Sequence, residues 1–276
     1  MTQLPFAFEH ANAHNSCQFT FPTRRGDYLV QVSWPLYIVD GNAYFFTATD
    51  IARRLEITHH TRAVLVAVGY PNKTCVFDKR RNGDLTPASS DGMYDIPPGP
   101  DGKPSLGPFG GASDFLDVIQ NDIQSHALFG HSYGGLFALN ALFTRPDAFD
   151  TFIAASPSIW FNNQCIVREQ EEQFNKLEPP AGRAPRLLAM FGGAEQTLIR
   201  LSGESDEKFD KKQKGAALRK MKDHALALVA RMEKSPHLRG VWQWEFEAEN
   251  HGGAAPCALQ RGLLRFLVDQ RAEESV

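Results

Sequence analysis

The stretch that most constrains this chain runs from Ala127 to Asn140, ALFGHSYGGLFALN. Residues 125–130 are a short, mostly apolar run, and residues 133–145 carry apolar side chains at helical spacing. Between them Gly130-His131-Ser132-Tyr133-Gly134 fits G-x-S-x-G. With these flanks the pattern reads as strand, sharp turn and helix, with a serine at the apex, the context in which it denotes a nucleophile elbow. A serine in a strained turn leaves no room for side chains two positions either side, hence Gly130 and Gly134, and Gly135 extends the close packing. The helix that follows aims free N–H groups at the serine, where a developing oxyanion would be stabilised.

The rest of the chain alternates in a way that suits such an elbow. Strands are predicted at Ser16–Pro22, Tyr28–Trp34, Leu36–Val39, Ala63–Val68, 125–130, Thr151–Ala155, Arg186–Phe191 and Val241–Phe246. Thr23–Asp27 supplies the first turn. Helical patterns cover Ala43–Leu55, Ala112–Ile123, the elbow helix, a polar segment reaching Leu177, Ala216–Glu233 and Ala258–Val268. Pro179-Pro180 ends the polar segment. Strands alternating with helices imply a mostly parallel eight-stranded sheet, an α/β fold with helices on both faces. Residues 69–111, rich in Pro, Gly, Asp and Arg, are too long for a plain connection and are expected to be a loop or lid insertion. Residues 202–214 read as a solvated mixed-charge loop or helix end. No repeat or low-complexity linker divides residues 1–276, so a single domain is expected.

Composition removes several function classes. The net charge of −3 leaves no polyanion footprint, so nucleic acid is not an expected partner. No apolar run reaches the roughly 18 residues that span a bilayer, so no membrane association is expected. Cys17, Cys75, Cys165 and Cys257 are scattered without a C-x-x-C pair, which argues against a zinc or redox site and for free thiols in a reducing compartment. The N-terminus lacks the basic and apolar regions of a signal peptide, and a cytoplasmic location is expected. No H-E-x-x-H occurs, and neither metal nor cofactor is expected.

Chemistry collects outside the carboxyl ends of the strands in such sheets. Asp40-Gly41-Asn42, Ser132, Glu195 and His251 each follow a predicted strand and so share one edge. A serine hydroxyl needs a base to take its proton and a carboxylate to orient that base. Ser132 is the candidate nucleophile and His251, followed by two glycines that give an adaptable loop, the candidate base. Glu195 is the candidate acid from chain order alone, with Glu204, Asp206 and Asp210 or a Ser–His dyad as alternatives. His131 would project away from the serine and pack. The N–H groups of Tyr133, Gly41 and Asn42 are the candidate oxyanion hole, contributed by backbone. Lys79-Arg80-Arg81 places cations beside the presumed mouth, suited to an anionic catecholate, carboxylate or phosphate; the alternative is a basic turn with Arg81 paired to Asp84. Trp160, with Phe161, could wall an aromatic ring or simply pack in the core, and Phe77, Met93, Tyr94 and Phe109 could line the pocket.

Seven segments carry a family resemblance: PLYIVDGNAYF (35–45), VGYP (68–71), RRNGDLTP (80–87), GGASDF (110–115), GHSYGG, SPSIWF and the closing ENHGG. Together they resemble the esterase D-like family of α/β-hydrolases, and within it the esterases that open the trilactones enterobactin and salmochelin. The resemblance implies an α/β-hydrolase fold and a serine carboxylic ester hydrolase, with Ser132 as nucleophile, His251 as base, the Gly41, Asn42 and Tyr133 amides as oxyanion hole and Arg81 as a ligand-facing cation. It also implies a small-molecule ester substrate, the trilactone of a catecholate siderophore, with iron arriving as part of that substrate. The alternatives are a general short-chain carboxylesterase, an S-formylglutathione hydrolase-like thioesterase, or a non-catalytic siderophore-binding hydrolase fold.

Overall fold

The computed structural model describes residues 9–10, 17–23, 26–60, 63–71, 74–99, 103–119, 127–200 and 202–274. Its strands are β1 (Glu9–His10), β2 (Cys17–Thr23), β3 (Gly26–Val39), β4 (Val64–Gly69), β5 (Ala127–His131), β6 (Thr151–Ala155), β7 (Arg186–Gly192) and β8 (Gly240–Phe246). Its helices are α1 (Gly41–His59), α2 (Arg81–Asp84), α3 (Ala112–Ile119), α4 (Tyr133–Thr144), α5 (Phe161–Cys165), α6 (Glu172–Phe174), α7 (Asp206–Arg219), α8 (Met221–Met232) and α9 (His251–Glu274), with a π-helical turn at Ile166–Glu171. Residues 120–126, the end of one expected helix and the start of the elbow strand, lie outside the described residues. Among the described residues no helix is long and apolar enough to cross a membrane.

Register gives the sheet its order. Along its first half β3 runs against β4, with Leu29 opposite Gly69 and Val32 opposite Val66. Beyond an irregularity at Trp34–Pro35 the partner numbers rise instead, Leu36 lying opposite Leu65 and Val39 opposite Val68. Val66 therefore has a partner in each half, Val32 and Tyr37, so β3 crosses from one flank of β4 to the other. Pro35, which has no N–H to lose from a ladder, sits at the crossing. The order is β1, β2, first half of β3, β4, second half of β3, β5, β6, β7, β8. From the second half of β3 through β8 the pairing is parallel. The two strands expected at 28–34 and 36–39 are the halves of this one continuous strand, and β1 was not foreseen.

β5, β6 and β7 are buried at every residue, which is why they read as unbroken apolar runs rather than alternating ones. Their side chains still alternate between two cores. Leu128, Phe152 and Leu187 pack with α3, α4 and α8 on one face. Phe129, Ile153 and Leu188 pack with α1 and α9 on the other. Each large side chain so buried contributes about 1.5–3 kcal/mol, and together they fix the strand ends from which the site is built.

Two expected boundaries move. The helix read as Ala216–Glu233 is two helices, because Lys220 adopts a left-handed conformation (φ 44°, ψ 44°) between α7 and α8. The mixed-charge run is the body of α7, none of whose residues is buried. The closing helix begins at His251 itself, seven residues earlier than expected, because Asn250 caps it: its Oδ1 accepts the N–H groups of Gly252 and Gly253, each at 3.0 Å. The two glycines are thus the first turn of α9 rather than an adaptable loop.

Candidate active site

Ser132 stands between β5 and α4 at φ 61°, ψ −116°, a strained conformation for a residue with a side chain. Gly130 is required there, since a Cβ on it would lie 2.0 Å from the carbonyl oxygen of Gly134. The end of β6 holds the turn from below: Ser132 N–H donates to Ala155 O at 3.0 Å, and Ser158 N–H donates to Ser132 O at 3.2 Å. The Ser132 hydroxyl lies 3.4 Å from Ser158 Oγ.

Glu195, just past β7, is buried and holds three donors. Its Oε2 meets His251 Nδ1 at 2.8 Å, while its Oε1 accepts the Ser156 hydroxyl at 2.5 Å and the Gly192 N–H at 2.6 Å. The first contact fixes the imidazole and leaves Nε2 as its free nitrogen. Ser132 and His251 line the same cavities, so serine, histidine and carboxylate are brought together. Glu204 and Asp206 are engaged elsewhere, with Lys212 and Arg200. Ser156 and Ser158 were missed by sequence reasoning; the signal was their position in SPSIWF immediately after β6.

His131 projects away from Ser132, as expected, but it does more than fill space. Its Nε2 lies 2.8 Å from the carbonyl oxygen of His251, its Nδ1 lies 2.9 Å from the Tyr44 hydroxyl, and its ring centroid is 4.5 Å from that of His251. Burial, reinforced by the neighbouring His251, holds the His131 pKa well below the ordinary histidine value. The neutral ring donates from Nε2 to the His251 carbonyl and accepts at Nδ1 from Tyr44, so it braces the first residue of α9.

At the oxyanion position, Tyr133 opens α4 and its N–H has no intrahelical acceptor. Gly41 and Asn42 open α1. The Asn42 side chain is locked onto the backbone of Tyr70, accepting from its N–H at 2.7 Å and donating to its carbonyl at 2.8 Å, so any contribution from Asn42 is through its main chain. Gly69 makes room for that amide: a Cβ there would meet Asn42 Oδ1 at 2.3 Å.

Two cavities meet at Ser132 and His251. One, of about 420 Å³, is walled by Trp160 and by Lys211, Lys212, Gly215 and Arg219 of α7. The other, of about 430 Å³, is lined by Tyr44, Val76, Phe77, Arg81, Ala255 and Pro256. The cations of the first cavity were not the ones expected. Arg80 lines neither cavity; it stacks on Tyr28 and Tyr70, 4.6 and 5.2 Å from their ring centroids, and donates to Asp27 O at 2.6 Å. Arg81 does reach a cavity, but its guanidinium is bound bidentately by Asp40, and Asp84 takes the Tyr70 hydroxyl instead. Arg219 lies 5.1 Å from the Trp160 ring and donates to the carbonyls of Pro98 and Gly215, so no carboxylate cancels its charge among the described residues. Burial lowers its pKa, the cost of desolvating a cation without a counterion. Trp160 is a cavity wall, as expected. Phe77 lines the second cavity, whereas Met93 is exposed and Tyr94 and Phe109 pack against Phe161, which ties these two side chains to the elbow through Tyr133.

The sheet order, the strained serine after β5 and the carboxylate–histidine pair after β7 and β8 define an α/β-hydrolase. Its family follows from comparison. The model of the family described as "Putative esterase" matches residues 33–234, and the chain belongs to that family of ester hydrolases. It is 38% identical over 287 residues to the siderophore triacetylfusarinine C esterase of Aspergillus fumigatus, covering 92% of this chain and 94% of that one. It is 39% identical over 272 residues to the siderophore enterobactin esterase of Emericella nidulans, covering 87% and 89%. Among solved structures it is similar to the siderophore hydrolase EstA of Aspergillus nidulans, with TM-score 0.85, 36% identity, and 96% and 98% of the two chains covered.

Proposed function

We propose that this chain is a serine hydrolase that opens the ester bonds of a siderophore, most directly the trilactone backbone of a catecholate such as enterobactin, and so frees its iron for the cell. Ser132 Oγ attacks the ester carbonyl while His251 Nε2 takes its proton, and Glu195 stabilises the imidazolium that forms. The Tyr133, Gly41 and Asn42 amides hold the oxyanion. Collapse expels the alcohol, protonated by His251, and leaves an acyl-Ser132 that water hydrolyses by the same proton path. The chain works as a single domain with residues 69–111 as its lid, in the cytoplasm, where the Cys165 and Cys257 thiols would persist.

The observation that carries this reading is the Glu195–His251 hydrogen bond beside Ser132, in a cavity that Arg219 also lines. Two cavities of similar size either side of the serine suit an ester bulky on both its acid and alcohol sides, as in a macrocyclic trilactone, better than a short-chain ester. Arg219 on the Trp160 face suits an anionic aromatic group. The test is hydrolysis of ferric and iron-free enterobactin, ferric triacetylfusarinine C, and p-nitrophenyl acetate and butyrate. The trilactones should be opened at least ~100-fold more efficiently than the simple esters, a gap of the size that remote binding energy supplies. Preference for the simple esters would make the chain a general carboxylesterase.

A further inference from the structure

Two sequence segments, DGN and RRNGDLTP, are joined by a bidentate ion pair: Arg81 Nε donates to Asp40 Oδ1 at 2.9 Å and Arg81 Nη2 to Asp40 Oδ2 at 2.7 Å. The pair is nearly closed to solvent, with side-chain exposures of 13% and 1%. Asp40 occupies the N-cap position of α1, where an aspartate ordinarily accepts an N–H of the first turn, yet its carboxylate makes no cap hydrogen bond. Its backbone is left-handed (φ 57°, ψ 43°). The N–H of Asn42, which such a cap would occupy, therefore has no acceptor among the described residues. On the other side Asp40 Oδ2 approaches the elbow, lying 3.6 Å from where a Cβ on Gly134 would be. The Arg81 guanidinium lies 5.3 Å from the Tyr133 ring centroid.

A carboxylate thus sits between the first turns of α1 and α4, the two helix ends that flank the serine. Left unpaired, it would compete for the first-turn N–H groups and repel the negative charge that develops on the substrate oxygen. We infer that Arg81 and Asp40 are a positioning pair for the oxyanion hole: the bidentate clamp turns the Asp40 carboxylate away from the α1 amides, neutralises it, and makes the hole depend on the loop that carries Arg81. Arg81 then acts on the transition state and not as the substrate's cation, a part left to the α7 wall. This inference rests on the oxyanion-hole reading of Gly41 and Asn42.

The experiment uses p-nitrophenyl butyrate, whose neutrality removes any role for Arg81 as a substrate counterion. Arg81→Met should lower kcat by ~100-fold with KM changed less than about threefold, the size seen when one oxyanion contact is lost. Arg81→Lys, which restores charge without the bidentate fork, should fall between. Asp40→Asn combined with Arg81→Met should recover at least ~10-fold of the lost kcat, because the unpaired carboxylate is gone. A merely structural salt bridge would not give a kcat-only loss rescued by deleting its second partner. A double variant as slow as Arg81→Met, or a loss confined to KM for ferric enterobactin, overturns the inference. If Arg81→Met does not fold, the double variant carries the test alone: kcat within ~10-fold of wild type supports the pair, and a ~100-fold loss overturns it. Ser132→Ala in parallel separates this from the mechanism itself, since retained activity there would remove the esterase reading altogether.

Discussion

The edge that holds Glu195 and His251 and the α7 wall that faces it are built in opposite ways. Glu195 has a fully buried side chain, three donors and a strand end beneath it. No residue of α7 is fully buried, and its flanks are held by the exposed Arg200–Asp206 pair and by Lys212 on the nearly buried Glu204 carboxylate. Groups fixed in this way suit chemistry that tolerates little misplacement. A helix anchored only through its surface can exchange side chains at small cost in stability. On the proposed reading, the fold thus separates a catalytic edge that resists change from a recognition wall that accepts it.

Substitutions should divide along that line. His251→Ala should cost about 10⁴-fold or more in kcat on every ester, since it removes the base. Glu195→Gln, nearly isosteric, should cost about 10³-fold with KM little altered, read by steady-state kinetics on p-nitrophenyl butyrate. Gly130→Ala tests the edge through stability: its Cβ would strike the Gly134 carbonyl, and a loss of roughly 3 kcal/mol is expected in urea denaturation. Arg219→Ala should weaken kcat/KM for ferric enterobactin by about 10-fold, the value of one desolvated ion contact, while changing p-nitrophenyl butyrate hydrolysis far less. Equal losses on both esters would erase the distinction between edge and wall.

The smallest effect concerns His131. Its folded pKa is depressed, so the unfolded chain binds the extra proton first and stability falls as pH drops from the ordinary histidine value toward the depressed one. The His131 contribution is complete above that ordinary value. In His131→Gln the loss of stability between pH 7 and pH 5 should be shallower than in wild type, measured from urea midpoints. An unchanged slope would mean that His131 is not held neutral by its burial.

The edge was legible in the sequence because Ser132 and Glu195 follow strands whose apolar runs are forced by two-sided burial, and His251 follows the alternating, half-exposed β8. Ser132 was placed by its G-x-S-x-G pattern, His251 by its order after the last strand, and Glu195 by order among several acidic alternatives. The wall was not legible, because Lys211, Lys212 and Arg219 lie on a polar helix whose charge pattern is that of any solvated surface. The left-handed Lys220 separates α7, which lines the cavity, from α8, and nothing in MKDHALALVARM or the residues before it announces that break. Arg80 misled for a related reason, since it lines neither cavity while Arg81 reaches one. Two adjacent cations look alike in a sequence, yet one stacks on tyrosines and the other is claimed by Asp40, 41 residues away. The loop with His251 was drawn too long because Asn250 was not read as a cap.

The most direct test of the account is covalent labelling with a fluorophosphonate, followed by peptide mass analysis. The account predicts one equivalent of label on Ser132, with a rate that falls in His251→Ala and Glu195→Gln and stays near wild type in Arg219→Ala. Label on another residue, or none in a protein that still hydrolyses esters, would contradict it.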